Sequence, residues 1–286
     1  MTLNIKIGVD KMKIKLLTVL TLSSLVLAAC QDNAAPNEDV ENPDNEIAEV
    51  EPEETPEVDS IEDEIAEEEE EVVEFQYQVN PTLYSVEPIN PDEATDEKLV
   101  LLTYDDAPYG NTLEIAEALA ERDVSAIFFV NGMYMEDEEG FEIMQKVHEM
   151  GFEIANHTHT HATLPDYSEN DQKEEILKTN TIIEEAIGKK PRFFRAPHGM
   201  NTDYSKQLVV DEGMKMMNWS FGYDWMGEYH DAAALTDITL NAPELGNGSN
   251  ILMHDRTWTA KATPAIVDGL IEQGFTIIDP KLLSHE

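Results

Sequence analysis

Leu99-Val100-Leu101-Leu102-Thr103-Tyr104-Asp105-Asp106-Ala107-Pro108 is an apolar run that ends in two adjacent carboxylates. Four consecutive aliphatic residues read as a strand buried on both faces, the kind that parallel sheets use. The two acids then fall at its C-terminal end, where α/β proteins keep their ligand-binding and catalytic groups. Outward from this stretch, further short apolar runs at 125–130, 152–156, 193–195, 214–219, 250–253 and 275–278 alternate with helical patterns at 112–121, 140–150, 168–187, 204–212 and 263–273. Repeated strand–helix alternation predicts parallel strands joined by crossover helices, closed into a barrel or a distorted version of one.

Residues that carry chemistry recur at the same end of these strands. Asp105 and Asp106 follow the first, His157 and His161 the third, Arg195 ends the next, Asp224 follows the fifth and His254 ends the sixth. The i, i+4 spacing of His157 and His161 suits one side of a helical turn, with His159 between them. One carboxylate and two imidazoles make a three-ligand set with a position open for water, as in catalytic zinc and related sites. Taken singly, adjacent loop acids are more often solvated charges, Arg195 an ion-pair partner, and Trp219, Trp225 and Trp258 packing residues. Their recurrence in one register points instead to a metal-dependent hydrolase.

The rest of the chain is of another kind. Residues 1–29 carry Lys6, Lys11, Lys13 and Lys15 and then an apolar run from Leu16 to Ala29. This reads as an export signal, too short for a comfortable membrane span. Met1 and Met12 both offer a complete start. The single cysteine closes Leu27-Ala28-Ala29-Cys30, which resembles the lipobox of bacterial lipoproteins and implies a lipid on Cys30. Each buried lipid methylene contributes about 0.8 kcal/mol, so two or three chains anchor firmly. With one cysteine, no disulfide forms within the chain.

Residues 30–96 read as an acidic, disordered linker: between Gln31 and Asn80 there are 21 acidic residues and no Lys or Arg. About 60 such residues form a coil of roughly 40–45 Å, a tether between a membrane and residues 97–286, which suffice for one catalytic domain. The formal net charge of −42 and the lack of a basic patch disfavour nucleic acid as a partner. A monomer is expected.

The motif set resembles the NodB-like polysaccharide deacetylases, carbohydrate esterase family four, over about Leu99 to Leu282. The resemblance implies a distorted (β/α) barrel of seven or eight strands and metal-dependent removal of acetyl groups from a sugar polymer. Thr103-Tyr104-Asp105-Asp106-Ala107 is similar to the family's TFDDG motif, implying Asp105 as general base and Asp106 as metal ligand. His157-Thr158-His159-Thr160-His161 is similar to H-[ST]-x-x-H, implying His157 and His161 as the other ligands. Arg195-Ala196-Pro197-His198-Gly199 matches R-x-P-x-G, implying that Arg195 orients the base and the His198 backbone N–H helps hold the oxyanion. Asp224-Trp225 resembles the fourth motif, with Asp224 holding the catalytic histidine and Trp225 walling the acetyl pocket. Leu252-Met253-His254 resembles the fifth, with His254 as general acid and Leu252 beside the methyl group.

The ion expected from this donor set is Zn2+, with Co2+, Ni2+ or Fe2+ accepted by the same ligands. Three departures stand out: Ala107 replaces a glycine, which is costly if that position needs a positive φ; His198 stands where an aromatic is common; and Phe221-Gly222 occupies the place of an earlier aspartate. His159 and His198 are expected to shape the groove. The leading reading is an N-acetyl hydrolase acting on a cell-surface amino-sugar polymer (peptidoglycan, a GlcNAc-type exopolysaccharide or chitooligosaccharide), lipid-anchored at the outer face of the membrane. The alternatives are an O-acetyl esterase on a xylan-like glycan and a catalytically weak glycan-binding lipoprotein.

Overall fold

The computed structural model describes residues 74–90 and 98–286. The export segment, Cys30 and most of the acidic run lie outside the described residues. A short antiparallel hairpin, β1 (Tyr77–Val79) and β2 (Val86–Pro88), comes first. All seven strands expected from the sequence follow: β3 (Lys98–Ala107), β4 (Ile127–Val130), β5 (Glu153–Asn156), β6 (Phe193–Phe194), β7 (Lys215–Met216), β8 (Ser249–His254) and β9 (Phe275–Ile277). They form one parallel sheet in the order β7-β6-β5-β4-β3-β8, with β9 also on β3. The sheet curls far enough that Phe221, just past β7, bridges Ile251 of β8. This is the distorted barrel that the strand–helix alternation predicts.

Period-two alternation along β3 builds two cores. Val100, Leu102 and Tyr104 point outward, into a cluster with Ile115, Ala116 and Leu119 of α1 (Thr112–Ala120) and Ile266, Val267 and Leu270 of α6 (Thr257–Glu272). Leu99 and Leu101 point inward, against Ile127, Phe129, Ala155 and Phe193. Thr103 and Asp105 continue this inner row, so the interior turns from apolar to polar as β3 rises toward its C-terminal end.

The remaining helices are α2 (Glu138–Glu149), α3 (Glu169–Ile187), α4 (Asp203–Asp211) and α5 (Ala232–Asn241). The helical periodicity did not single out α5, whose first turn is capped by the Asp231 carboxylate accepting from the Ala233 and Ala234 N–H groups. Nor does α6 begin beside Pro264: it starts at Thr257 and carries the proline inside, where burial of Ala260, Thr263, Ile266 and Leu270 offsets the missing backbone donor.

The hairpin corrects the expected linker boundary. Val79 and Val86 lie in the inner core with Leu99, Leu101 and Leu283. Gln76 N–H donates to Leu282 O at 2.9 Å, and Val86 N–H to Gly248 O at 2.8 Å. The packed domain therefore includes residues 74–90, which the acidic composition had assigned to the tether.

Candidate active site

At the top of the inner row, Arg195 is fully buried and its guanidinium lies 4.2 Å from the Phe129 ring centroid. Its Nη1 donates to Asp105 Oδ1 at 2.6 Å and to Thr103 Oγ1 at 2.9 Å, and Nη2 donates to Asn218 O at 2.8 Å. The charge-assisted bond fixes one oxygen of Asp105 and leaves Oδ2 facing the site, 3.5 Å from His157 Nε2.

Between Asp105 and Ala107 the register with β4 shifts, and Asp106 takes a left-handed φ of 66°. The positive φ that would have made alanine costly at 107 falls instead at Asp106; Ala107 is a buried strand residue. The bulge turns both consecutive carboxylates toward the pocket instead of one inward and one outward.

His157 and His161 converge without the helical turn that their spacing suggests. The intervening segment is irregular, with left-handed residues at Thr158 (φ 66°) and His161 (φ 59°). Side chains from neighbouring elements impose this path: Asn156 Oδ1 accepts from Thr158 N–H at 2.8 Å, and Asn131 Nδ2 donates to His157 O at 2.7 Å. From α3, the Glu175 carboxylate accepts from both the N–H and the hydroxyl of Thr160.

Asp106, His157 and His161 place one ligand atom each within 4.8 Å of one another. His157 Nδ1 lies 2.7 Å from Arg195 O, and a carbonyl only accepts, so Nδ1 carries the proton and the Nε2 lone pair faces the site. That lone pair points at carboxylate oxygens 3.5 and 3.8 Å away, while Asp106 Oδ1 is buried with no hydrogen-bond partner. Acceptors facing acceptors call for a cation. His161 Nε2 lies 3.4 Å from Asp106 Oδ1. That is close to the roughly 3.3–3.4 Å separating two ligands each about 2.0–2.1 Å from one tetrahedral ion.

Protonation states agree. Burial lowers the pKa of His157, and burial with the nearby His157 lowers that of His161 to about 4, so both rings are neutral at pH 7. Burial alone would raise Asp106, but the charge that His157, His254 and His161 gain as pH falls, together with Arg256, outweighs it and holds its carboxyl below the ordinary value.

His254 stands in register with Asp105 on the adjacent strand. The fully buried Asp224 grips it twice: Oδ1 lies 2.7 Å from Nδ1 and Oδ2 accepts from the His254 N–H at 2.6 Å, as well as from the Thr259 hydroxyl at 2.8 Å. Burial opposes a charge on His254, yet the hydrogen bond to Asp224 and the charges of Asp224, Asp105 and Asp106 overcome it and raise its pKa. This is a histidine built to keep a proton near neutral pH.

Asp105, Asp106, His157, His161, Asp224 and His254 line one pocket of about 440 Å³, together with His198, Trp219, Trp225, Leu252 and Arg256. His198 is exposed, has φ 57° and meets the His161 ring at 4.9 Å between centroids. Trp225 is 48% exposed and stands edge-on to His254, so it is a pocket wall and not a packing residue. Trp258 does pack: its Nε1 donates to Asp224 O and its ring stacks on His230. His159 departs from expectation, being buried beside Lys178 and Glu136 away from this pocket.

The motifs also passed over two residues directly after His254. Asp255, fully buried, accepts from the backbone N–H groups of Tyr109, Gly110 and Asn111 and from the Thr112 hydroxyl, fixing the loop beyond the acids. Arg256 Nη2 donates to Asp106 Oδ2 at 2.6 Å. Their adjacency to His254 was the only signal in the sequence.

Comparison with known proteins agrees with this geometry. A family profile described as polysaccharide deacetylase matches residues 92–217. A chitooligosaccharide deacetylase of Sinorhizobium fredii is 31% identical over 65% of this chain and 92% of its own length. A peptidoglycan-N-acetylglucosamine deacetylase of Bacillus cereus is 33% identical over 54% of this chain, which spans only 55% of that protein. The family 4 carbohydrate esterase of Streptomyces lividans, solved with acetate, superposes with a TM-score of 0.57 at 28% identity, covering 63% of this chain and 91% of its own. Barrel, pocket and relatives converge: the chain belongs to the polysaccharide deacetylase family, carbohydrate esterase family 4, and with it to the hydrolases.

Proposed function

We propose that the protein removes N-acetyl groups from an amino-sugar polymer of the cell surface, peptidoglycan or a GlcNAc-type polysaccharide. The observation that carries this reading is the juxtaposition of Asp105 and His254, in register on neighbouring strands, with the Asp106–His157–His161 cluster in one pocket. A divalent ion such as Zn2+, held by those three residues, supplies Lewis-acid polarisation and eases deprotonation of water.

Asp105, with Oδ1 tied to Arg195, offers Oδ2 to take a proton from the attacking water. The backbone N–H of His198 donates to the developing oxyanion. Trp225 and Leu252 wall the space for the acetyl methyl group. His254 delivers its proton to the leaving nitrogen. An amide nitrogen leaves poorly unless protonated, and the raised pKa of His254 keeps the acid loaded for that step.

The test is incubation with chitooligosaccharides, purified peptidoglycan and acetylated xylan, measuring acetate and new amine together. Matching acetate and amine, lost with a chelator and in Asp105→Asn, supports the proposal; acetate without amine, from xylan alone, replaces it with an O-acetyl esterase. No acetate from any glycan moves the protein to the glycan-binding reading. We propose further that Cys30 is lipidated and the acidic run tethers the domain at the outer membrane face. Cys30→Ala should then release the protein to the medium, and retention at the membrane would refute the anchor.

A further inference from the structure

We propose that Arg256 is the positioning residue that presents Asp106 to a divalent ion through a single oxygen. This rests on the metal-dependent reading above and deepens it. Asp106 has two oxygens in unlike surroundings. Oδ2 receives the Arg256 guanidinium at 2.6 Å. Oδ1 is buried without a hydrogen-bond partner and lies 3.4 Å from His161 Nε2 and 3.8 Å from His157 Nε2. A carboxylate with both oxygens open can swing or chelate with both; one whose outer oxygen is taken by an arginine offers the inner oxygen alone.

Arg256 is itself held in place. Its Nη1 donates to Asp255 O at 2.9 Å, and its guanidinium carbon lies 4.8 Å from the Tyr109 ring centroid. The Tyr109 backbone N–H donates to Asp255 Oδ2 at 2.7 Å. The dipeptide after His254 thus grips the exit of β3 twice: Asp255 holds the backbone and Arg256 holds the carboxylate. The left-handed backbone at Asp106 fixes where its side chain starts, and Arg256 fixes where it ends.

Two effects of Arg256 on an ion oppose each other. Orienting the ligand favours binding, and a nearby positive charge disfavours it. Outer partners of metal ligands typically contribute about 10- to 100-fold in affinity, which assigns the larger effect to orientation. The sign of the change is therefore the test.

The experiment measures Zn2+ affinity by competition with a chromogenic chelator, and the visible absorption of the Co2+-loaded protein, for the full chain and for Arg256→Met and Arg256→Lys. Near-ultraviolet circular dichroism of each metal-free variant confirms folding beforehand, and Arg256→Gln replaces Arg256→Met if the latter does not fold. Arg256→Met is expected to bind Zn2+ about 10- to 100-fold more weakly and to change the Co2+ bands as the second oxygen becomes free. Arg256→Lys, which keeps a charged donor for Oδ2, is expected to recover most of the affinity. Unchanged or tighter binding in Arg256→Met overturns the inference and leaves the metal-dependent reading intact. Equal weakening in Arg256→Met and Arg256→Lys also overturns it, since a donor to Oδ2 would then not be what matters. A wild-type chain that binds neither ion overturns both.

Discussion

Asp224→Asn separates the role of the Asp224–His254 pair from the rest of the site. Both oxygens of Asp224 are in use, one toward His254 Nδ1 and the other toward the His254 N–H and the Thr259 hydroxyl. An asparagine keeps one acceptor and turns an NH2 group toward the other partner. If the amide oxygen stays on the backbone N–H and Thr259, the NH2 faces Nδ1 and the imidazole can no longer hold a proton on both nitrogens. If the amide is reversed, the His254 N–H is left without an acceptor in a buried position. The first arrangement satisfies the neutral ring, with the NH2 donating to a deprotonated Nδ1, at the expense of the charged ring; the second leaves a buried polar group unsatisfied, a cost of about 1–3 kcal/mol.

The effect on turnover is larger, since a positioned general acid contributes about 10²–10⁴-fold. The pH profile carries the sharper signature. In the wild type the His254 pKa is raised above 6.5, so the acid is loaded below that higher value and activity falls as pH rises through it. In the variant, burial remains while the largest opposing influence is gone, so the alkaline limb moves to lower pH. Each unit of movement lowers the loaded fraction about tenfold at any pH well above the limb. Acetate release measured across neutral and alkaline pH, beside a denaturant titration, reads both effects. An alkaline limb that stays in place, with turnover reduced or not, would refute the assignment of that limb to His254.

Other perturbations test other parts of the site. Arg195→Met leaves the Asp105 carboxylate buried without its charged partner, and a loss of about 3–5 kcal/mol is expected in chemical denaturation; an unchanged midpoint would show that Asp105 is not held by this pair. Trp225→Ala removes a side chain that is 48% exposed, so stability should stay within about 0.5 kcal/mol while KM for an acetylated glycan rises. A fall in kcat with KM unchanged would mean that the indole acts only in the transition state. A chain starting at residue 92 loses Val79 and Val86, each contributing about 1.5–3 kcal/mol by burial, and should melt well below one starting at residue 74. Equal melting temperatures would return the hairpin to the linker.

The parts of the molecule legible in the sequence are those in which local pattern and tertiary role coincide. The run from Leu99 to Asp105 is read as a buried strand because both of its faces are covered, and its alternation then fixes which residues look inward. The hairpin had a comparable signal, with Phe75, Tyr77 and Val79 alternating against Gln76 and Gln78, but the acidic residues before it dominated the composition. Arg256 had none beyond its adjacency to His254, because its role is defined by Asp106, 150 positions earlier.

The site itself departs from local pattern for a physical reason. Asp106, Thr158, His161 and His198 are four of the six described non-glycine residues with positive φ, and all four belong to the pocket or its ligand loop. Such conformations cost about 1–3 kcal/mol each and persist only where surrounding contacts determine them. Those contacts are nonlocal here: Glu175 of α3 on Thr160, Asn131 after β4 on His157, Asp255 on the loop beyond Asp106. Periodicity in the chain therefore specifies the barrel, while the approach of Asp106, His157 and His161 to one another is imposed by the barrel on a backbone that would not adopt it alone. The i, i+4 spacing of the two histidines picks out a pair that does converge, but not through a helical turn: what joins them is an irregular segment with left-handed residues at Thr158 and His161, pinned at His157 and Thr160 by Asn131 and Glu175.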